Sequence, residues 1–428
     1  MIGIYLFVFA LVLLFAGYPI ALTFAGLSLL VGFWIEGFEL FAFMPYRLYS
    51  IMGNTILMAI PMFIFMGIVL QKTGLAERLL ESMAKLFCSR PGGLAISTIL
   101  VGAFLAASTG VVGASVVAMG VISLPVMLKY DYDQRLATGV ICAAGTLGQI
   151  IPPSIILIIL GDVMGVPVGD LFKAAMIPAL ILVGCYLLYV VIYTSLNPSS
   201  APAIPSTDDN VSDLIINALK NIIPPLLLIV IVLGSILSGI ATPTESSALG
   251  AIGALLLAKL YGYLQLPMIT AAAKETVKVT SMVFAVLIGA TAFAMIFTYS
   301  GGDIIVEEFM SGLPGEKWTF LLLSMLAIFI LGFFIDFVEI AFIVVPILAP
   351  IAELMGLNMV WFAILIAMNL QSSFMTPPFG FSLFYLKGVS PPEVKTTTIY
   401  KGVIPFILIQ MFVVLLLVVF PEYLGFDV

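Results

Sequence analysis

Two stretches, GTLGQIIPPSII (145–156) and NLQSSFMTPPFG (369–380), each set a double proline deep inside an apolar run long enough to cross a bilayer. Proline removes a backbone donor and clashes with the preceding turn, so each run contains a broken helix. Unpaired backbone groups facing lipid cost several kcal/mol each, and irregular backbone at that depth survives only where protein buries it or it lines a cavity. The breaks therefore predict protein packed around both of them.

Apolar stretches of spanning length recur from end to end, leaving no room for a soluble domain. The chain is 62% hydrophobic and 9% charged, against about 25% charged in soluble domains. It reads as an all-α polytopic membrane protein. The first run lacks a basic start and continues to Trp34, so it is expected to be a retained span, not a signal peptide. Cys88, Cys142 and Cys185 lie in or beside apolar segments and read as small core residues, with no disulfide framework or metal site. There is no histidine, which removes the usual general base and proton relay. A net charge of −7 without a basic patch argues against nucleic acid.

The chain repeats itself. Pro152 and Pro377 are 225 residues apart, Pro19 and Pro243 are 224 apart, Gly74 and Gly301 are 227 apart, and Pro125 and Pro346 are 221 apart. The common offset predicts two homologous halves joined by the polar segment NPSSAPAIPSTDDNVSD (197–213). Nine spans are expected near 4–34, 50–70, 137–165, 173–195, 217–240, 243–262, 280–299, 358–388 and 402–422. Two further apolar regions, 94–128 and 319–352, weaken in the middle at AASTGVVGAS (106–115) and FFIDFVEIA (333–341). Both read as re-entrant hairpins.

With this layout and a cytoplasmic start, 13 of the 16 Lys and Arg fall on the cytoplasmic side, leaving Arg47, Lys173 and Lys317 outside. Segment 72–90 carries Lys72, Arg78, Lys85 and Arg90, whereas its repeat mate 301–317 carries Asp303, Glu307, Glu308 and Glu316. Opposite charge bias in equivalent segments predicts inverted halves. Inverted repeats with discontinuous helices are an architecture of secondary transporters, in which unwound carbonyls suit Na⁺ and half-helix N-termini suit an anion.

Position names the candidates. In the first half they are Ser108, Thr109 and Gly110 at the hairpin tip, with Gly145, Thr146, Gly148, Pro152, Pro153 and Ser154 around the break. In the second they are Asp336 and Glu339 near the tip, with Asn369, Gln371, Ser372, Ser373, Thr376, Pro377, Pro378 and Gly380 around the break. A hydroxyl in a membrane helix otherwise bonds its own backbone, and a glycine otherwise serves close packing. An intramembrane acid is expensive, which singles out Asp336 as part of a site or gate. Glu245 in ATPTESSALG reads instead as a helix-start acid beside a capping Thr242 or Thr244. The run LAERLLESMAKLF (75–87) is spaced as an amphipathic interfacial arm. An aspartyl dyad of Asp162 and Asp336 is set aside because the layout puts Asp162 past a span end, and neither HExxH nor a Ser–His pair occurs. The chain is not expected to be an enzyme, and a channel fits two opposed breaks less well than alternating access.

IPPSIILIILGDVMGVPVGDLFKAAMIPAL (151–180), GIATPTESSALGAIGALLLA (239–258), LGFFIDFVEIAFIVVPILAPIAELMGL (331–357) and NLQSSFMTPPFGFSLFYLKGV (369–389) resemble the large (M, or DctM-type) membrane subunit of TRAP transporters. The resemblance covers nearly the whole chain in order. It implies an elevator-type importer in the bacterial inner membrane that uses Na⁺ to take up an organic acid anion, a carboxylate or sulfonate. It further implies a periplasmic substrate-binding protein (P) and a small Q-type membrane subunit. Because the chain begins at the first M span, Q is expected to be a separate protein. Carried over residue by residue, Na⁺ would be held around Ser108, Thr109, Gly145, Gly148 and Ile151 in one half and Asp336, Ser372, Met375, Thr376 and Pro377 in the other. Ser108, Thr109, Gly110, Pro153, Ser154, Asp336 and Gly380 would border the substrate. The implied domains are first-repeat scaffold helices and arm (1–90), a first transport part (91–196) and the linker (197–213). The second scaffold and arm (214–317) and the second transport part (318–428) complete them. A stand-alone Na⁺/dicarboxylate symporter of the same architecture is the alternative, separated by dependence on a binding protein.

Overall fold

Helices form wherever a segment must pair its own backbone groups, and glycine and proline set where they stop. The computed structural model describes residues 1–87, 89–204 and 211–426, and no strand occurs among them. Cys88 and part of the expected linker, 205–210, thus lie outside the described residues. Helices α1 (Ile2–Phe15) and α2 (Ile20–Glu36) lead through a 3-10 turn into α3 (Met44–Met52). Helices α4 (Ala59–Lys72) and α5 (Leu75–Phe87) follow, bent by 58° to one another. The first hairpin is α6 (Gly93–Thr109) and α7 (Val112–Lys129). The first broken helix is α8 (Gln134–Thr146), a 3-10 turn (Leu147–Gln149) and α9 (Ile155–Met164), and α10 (Val168–Leu196) closes the half.

The second half begins with α11 (Val211–Leu237), α12 (Pro243–Leu260), α13 (Leu266–Tyr299) and α14 (Gly302–Ser311). Its hairpin is α15 (Glu316–Leu331) against α16 (Phe337–Glu339), which runs through a π-helical turn (Ile340–Val344) into α17 (Val345–Leu354). Helices α18 (Met359–Met375) and α19 (Phe381–Val389) form the second broken helix, followed by α20 (Thr396–Val419). The Pro152–Pro153 and Pro377–Pro378 peptide bonds are both cis.

Three expectations change. The first span, 4–34, is two helices, because Gly17 takes φ +89° and Pro19 starts α2 from an extended conformation. A count of sides that assumed a single crossing there no longer follows. The span expected at 280–299 is the C-terminal part of a 34-residue helix. Its polar extension is held by the Lys72–Glu275 ion pair to α4, at 2.9 Å. Lastly, six described helices are long and apolar enough to cross a membrane unaided, or seven with the bent α4–α5 pair as one span, so nine crossings would require the shorter apolar helices as well.

Three local expectations agree with the structure: the α12 cap, the unpaired cysteines and the amphipathic spacing of 75–87. Thr242 and Glu245 form a reciprocal capping box, with Glu245 N–H donating to Thr242 Oγ1 at 3.3 Å and Thr242 N–H donating to Glu245 Oε2 at 2.8 Å. Glu245 is thus spent on the start of α12. Cys142 is buried and Cys185 half-buried, both free. The arm α5 lies on α6 and α11 with Leu75, Leu79 and Leu80 buried, and its Arg78 donates to Tyr263 Oη at 3.0 Å.

Close packing depends on small residues, as expected where lipid supplies no hydrophobic drive between helices. The backbones of α8 and α20 cross at Gly139 and Gly402, where a Cβ on either glycine would collide with a backbone carbonyl of the other helix. Every side chain of α18 from Trp361 to Met375 is buried, and Trp361 Nε1–H donates to Leu417 O at 2.8 Å. This central packing places the second break in the interior. Gly139→Leu should cost roughly 3 kcal/mol or more by overpacking, seen as a lower melting temperature of the detergent-solubilised protein. Gly184→Leu, with no atom within 4 Å of its Cβ position, should leave the melt unchanged.

Candidate functional site

In each half the hairpin turn lies on the break of the same half. The first turn is made by Gly110 at φ +61°, where a Cβ would sit 3.1 Å from Ile155 Cγ1 at the start of α9. Gly148, in the break, approaches Ala106 O of α6, with 3.2 Å left for a Cβ. From the other side, Gly67 of α4 abuts the tip: its Cβ would lie 2.5 Å from Thr109 Cα and 2.6 Å from Ser108 O. Ser108, Thr109, Gly110 and Gly148 are thus brought together with α9. Gly145 is not at the tip and instead packs against Val116 of α7. Ser154 Oγ–H donates to Gln149 O at 2.6 Å across the break and makes no cap bond to α9. Ile151 and Pro152 line an apolar cavity of about 430 Å³ reaching α10 and α11.

In the second half Gly332 of the hairpin lies against the Ser373 side chain, and Phe337 meets Phe374 with ring centroids 6.1 Å apart. Asp336 starts α16 and accepts from Phe337 N–H at 2.7 Å. Gly380 closes the break, with its N–H donating to Thr376 O at 3.0 Å and Phe374 O only 2.6 Å from a Cβ position. Ser382 Oγ–H donates to Phe374 O at 2.8 Å. Pro378 is exposed, and its carbonyl accepts from Tyr400 Oη at 2.7 Å. Met375 is fully buried, whereas Thr376 and Pro377 are half-buried.

The hydroxyl protons are committed. Ser108 donates to Leu105 O (2.8 Å), Thr146 to Ala143 O (3.0 Å), Ser372 to Met368 O (3.0 Å), Ser373 to Leu370 O (2.8 Å) and Thr376 to Ser372 O (2.8 Å). Thr109 bonds Leu105 O at 3.0 Å and Ser115 Oγ at 2.8 Å. A hydroxyl whose proton goes to its own helix presents only oxygen lone pairs outward. Together with carbonyls freed at the breaks and the Asp336 carboxylate, this is a set of hard oxygen donors for a cation. Asn369 is spent elsewhere, its Nδ2 donating to Met325 O at 2.7 Å.

Sequence reasoning did not single out Gln149, which is 1% exposed in the first break with both amide atoms unpartnered. A lone amide three residues before a double proline was the available signal. Nor did it find the bond from Asn54 Nδ2 to Asp162 Oδ1, 2.5 Å, because Asp162 looked like a span-end acid.

The sequence model of the family described as "Tripartite ATP-independent periplasmic transporter, DctM component" matches residues 7–423. The C4-dicarboxylate TRAP transporter large permease protein DctM of Pseudomonas aeruginosa is 30% identical over 376 residues, covering 88% of this chain and 86% of that one. The sialic acid TRAP transporter large permease protein SiaM of Vibrio cholerae is 29% identical over 415 residues, covering 96% and 95%. Among solved structures, the Alcanivorax borkumensis YdaH transporter shares the fold at a TM-score of 0.61 and 15% identity, over 91% of this chain and 90% of that one.

Packing at Gly67 gives a direct check on the hairpin tip. Gly67→Val should push Thr109 and Ser108 off α4, since backbone atoms cannot yield as a flexible side chain does. Hydrogen exchange measured by mass spectrometry should then quicken at 106–116, whereas Gly26→Val, with no neighbour within 4 Å, should leave that segment as it was.

Proposed function

The chain belongs to the DctM family as the large membrane subunit of a tripartite ATP-independent periplasmic transporter, and from that premise we propose that it carries an organic acid anion inward together with Na⁺. The reading places it as a multi-pass protein of a bacterial inner membrane, with a small Q-type subunit beside it and a periplasmic binding protein delivering the acid. The relatives' named cargoes, C4-dicarboxylates and sialic acid, are both organic acids.

One observation carries the coupling. Among the described residues no lysine or arginine is buried, so the interior holds no fixed positive charge to meet an anion. A bare carboxylate in such an interior is costly. A co-transported cation offsets that cost, and the hydroxyl, carbonyl and carboxylate oxygens at both breaks are suited to a hard monovalent ion. Ser108, Thr109, Gly148 and the backbone at Ile151 would hold one Na⁺, with Gly145 supporting them through α7. Asp336, Ser372, Thr376 and the backbone of Met375 and Pro377 would hold another.

The anion would then lie between the two hairpin turns, bordered by Gly110, Pro153, Ser154 and Gly380. The parts 91–196 and 318–428 would move as an elevator against the scaffold 1–90 and 214–317, in two inverted halves. Support comes from the matching order of hairpin and broken helix in both halves, and from the way each hairpin turn covers its own break.

Proteoliposomes holding this chain and its Q-type partner should take up a radiolabelled acid only with an inward Na⁺ gradient and the binding protein outside. Uptake of free acid without any binding protein would replace this reading by the stand-alone Na⁺/dicarboxylate symporter. Asp336→Asn removes a charged ligand worth about 1.5–3 kcal/mol, and should raise the Na⁺ concentration for half-maximal uptake roughly ten-fold or more.

A further inference from the structure

Unmet hydrogen-bonding capacity concentrates around the two breaks. Among the described residues, eight buried side-chain atoms have no hydrogen-bond partner within the protein, and five of them belong to Gln149, Gln371 and Glu339. Both amide atoms of each glutamine are involved, along with Oε2 of Glu339. The three side chains are 1%, 0% and 6% exposed. Such atoms cost roughly 1–3 kcal/mol each when left unpaired, so a polar species is expected to meet them during the working cycle.

Their elements are linked through α9 and α18. The 3-10 turn carrying Gln149 packs on α18, which carries Gln371, and α9 packs on both α18 and α16, which carries Glu339. Each amide brings two N–H donors and a carbonyl acceptor, and the carboxyl oxygen adds an acceptor. Na⁺ would use the oxygens and leave every N–H unmet. An unsubstituted dicarboxylate would match some N–H groups but offers no donor to the amide carbonyls or to Glu339. Hydroxyl groups both donate and accept. The nearby serine and threonine protons are committed to their own helices, whereas both amides keep their N–H groups unbonded to protein and so can donate to a cargo.

We propose that Gln149, Gln371 and Glu339 recognise hydroxyl groups on the carried acid, so that the cargo is a hydroxylated organic acid and not its unsubstituted counterpart. This rests on the organic-acid reading given above. A site built to hydrogen-bond a substrate hydroxyl discriminates strongly against the analogue lacking it, because its own polar groups are then left unpaired.

The test uses the same proteoliposomes, partner subunit and binding protein, with gluconate and malate set against hexanoate and succinate, which share their carbon skeletons without the hydroxyls. The hydroxylated member should be taken up at least about 100-fold faster than its counterpart. Gln149→Leu and Gln371→Leu should each cut that uptake by about ten-fold or more. Their melting temperature without substrate should stay the same or rise, since each removes an unpaired buried amide. Preferred uptake of succinate or hexanoate overturns the proposal. So does wild-type uptake in both leucine variants, which would mean that the amides hold water only. A loss of uptake that follows a lowered melt assigns them a structural role and likewise overturns it. If no acid is taken up in a Na⁺- and binding-protein-dependent way, the Na⁺-coupled organic-acid reading fails and this proposal falls with it.

Discussion

Everything in this structure follows from the cost of an unpaired backbone group at membrane depth. A continuous helix satisfies its own donors and acceptors, and a double proline forbids that twice in this chain. The freed groups must therefore meet protein. A helical hairpin supplies it in each half, and the approach is close enough to require glycine on one or both sides. Gly110 turns over the start of α9, Gly148 comes up under Ala106, and Gly332 accepts the Ser373 side chain. Bulk at any of these contacts would lift the hairpin and return the break to a state it cannot tolerate. Hairpin and break are thus a single unit, and neither makes physical sense alone.

The same pressure shapes the side chains. A hydroxyl inside an apolar helix lowers its own cost by donating to a carbonyl one turn back, as Ser108, Ser372, Ser373 and Thr376 all do. That local saving turns a donor-acceptor group into an acceptor. A region rich in serine and threonine, which composition alone would describe as able to bind either sign of charge, becomes biased toward cations. The proposed pairing of an anion with Na⁺ grows from this asymmetry, since the described interior has no buried lysine or arginine and these hydroxyls at the breaks give their protons to their own helices. It also explains why the two unpartnered glutamine amides stand out: they retain donors where their neighbours have given theirs away.

Much of this was legible in the residues because it is local. Proline pairs, weak points in apolar runs and the ATPTE cap each act within a few residues, and the helices begin and end beside them. The Gly17–Pro19 break inside the first apolar run escaped because hydropathy is unbroken across it. What stayed hidden was the long-range part. Nothing near Gly139 announces that Gly402 will cross it, and nothing near Asn54 announces Asp162, 108 positions later. Gln149 could be seen as polar, but its lack of partners exists only once every surrounding helix is in place. The resemblance supplied candidate ligands, and the packing then separated them. Ser108, Thr109 and Gly148 gather at the first tip, while Gly145 serves the contact with α7.

A molecule that moves one part past another needs a contact surface that holds without interlocking. The boundary between the proposed scaffold and transport parts has that character. An apolar cavity of about 430 Å³ runs along it, bordered by Leu79 and Met83 of the arm, Phe104 of the first hairpin, Pro152 at the break and Ile229 of α11. Apolar contacts are individually weak and non-directional, so sliding trades one set for another at little cost. A hydrogen bond is directional and must be broken outright. The bond from Asn54 to Asp162 joins the two sides of this boundary, with Asn54 itself oriented by accepting from Ile56 N–H at 2.9 Å. Its donor is held firmly on the scaffold and its acceptor sits on α9, the helix that the first hairpin covers. In the proposed elevator motion the apolar surface would permit displacement, while this bond would favour one position along it. Motion of the first hairpin unit would therefore have to start with the release of Asp162.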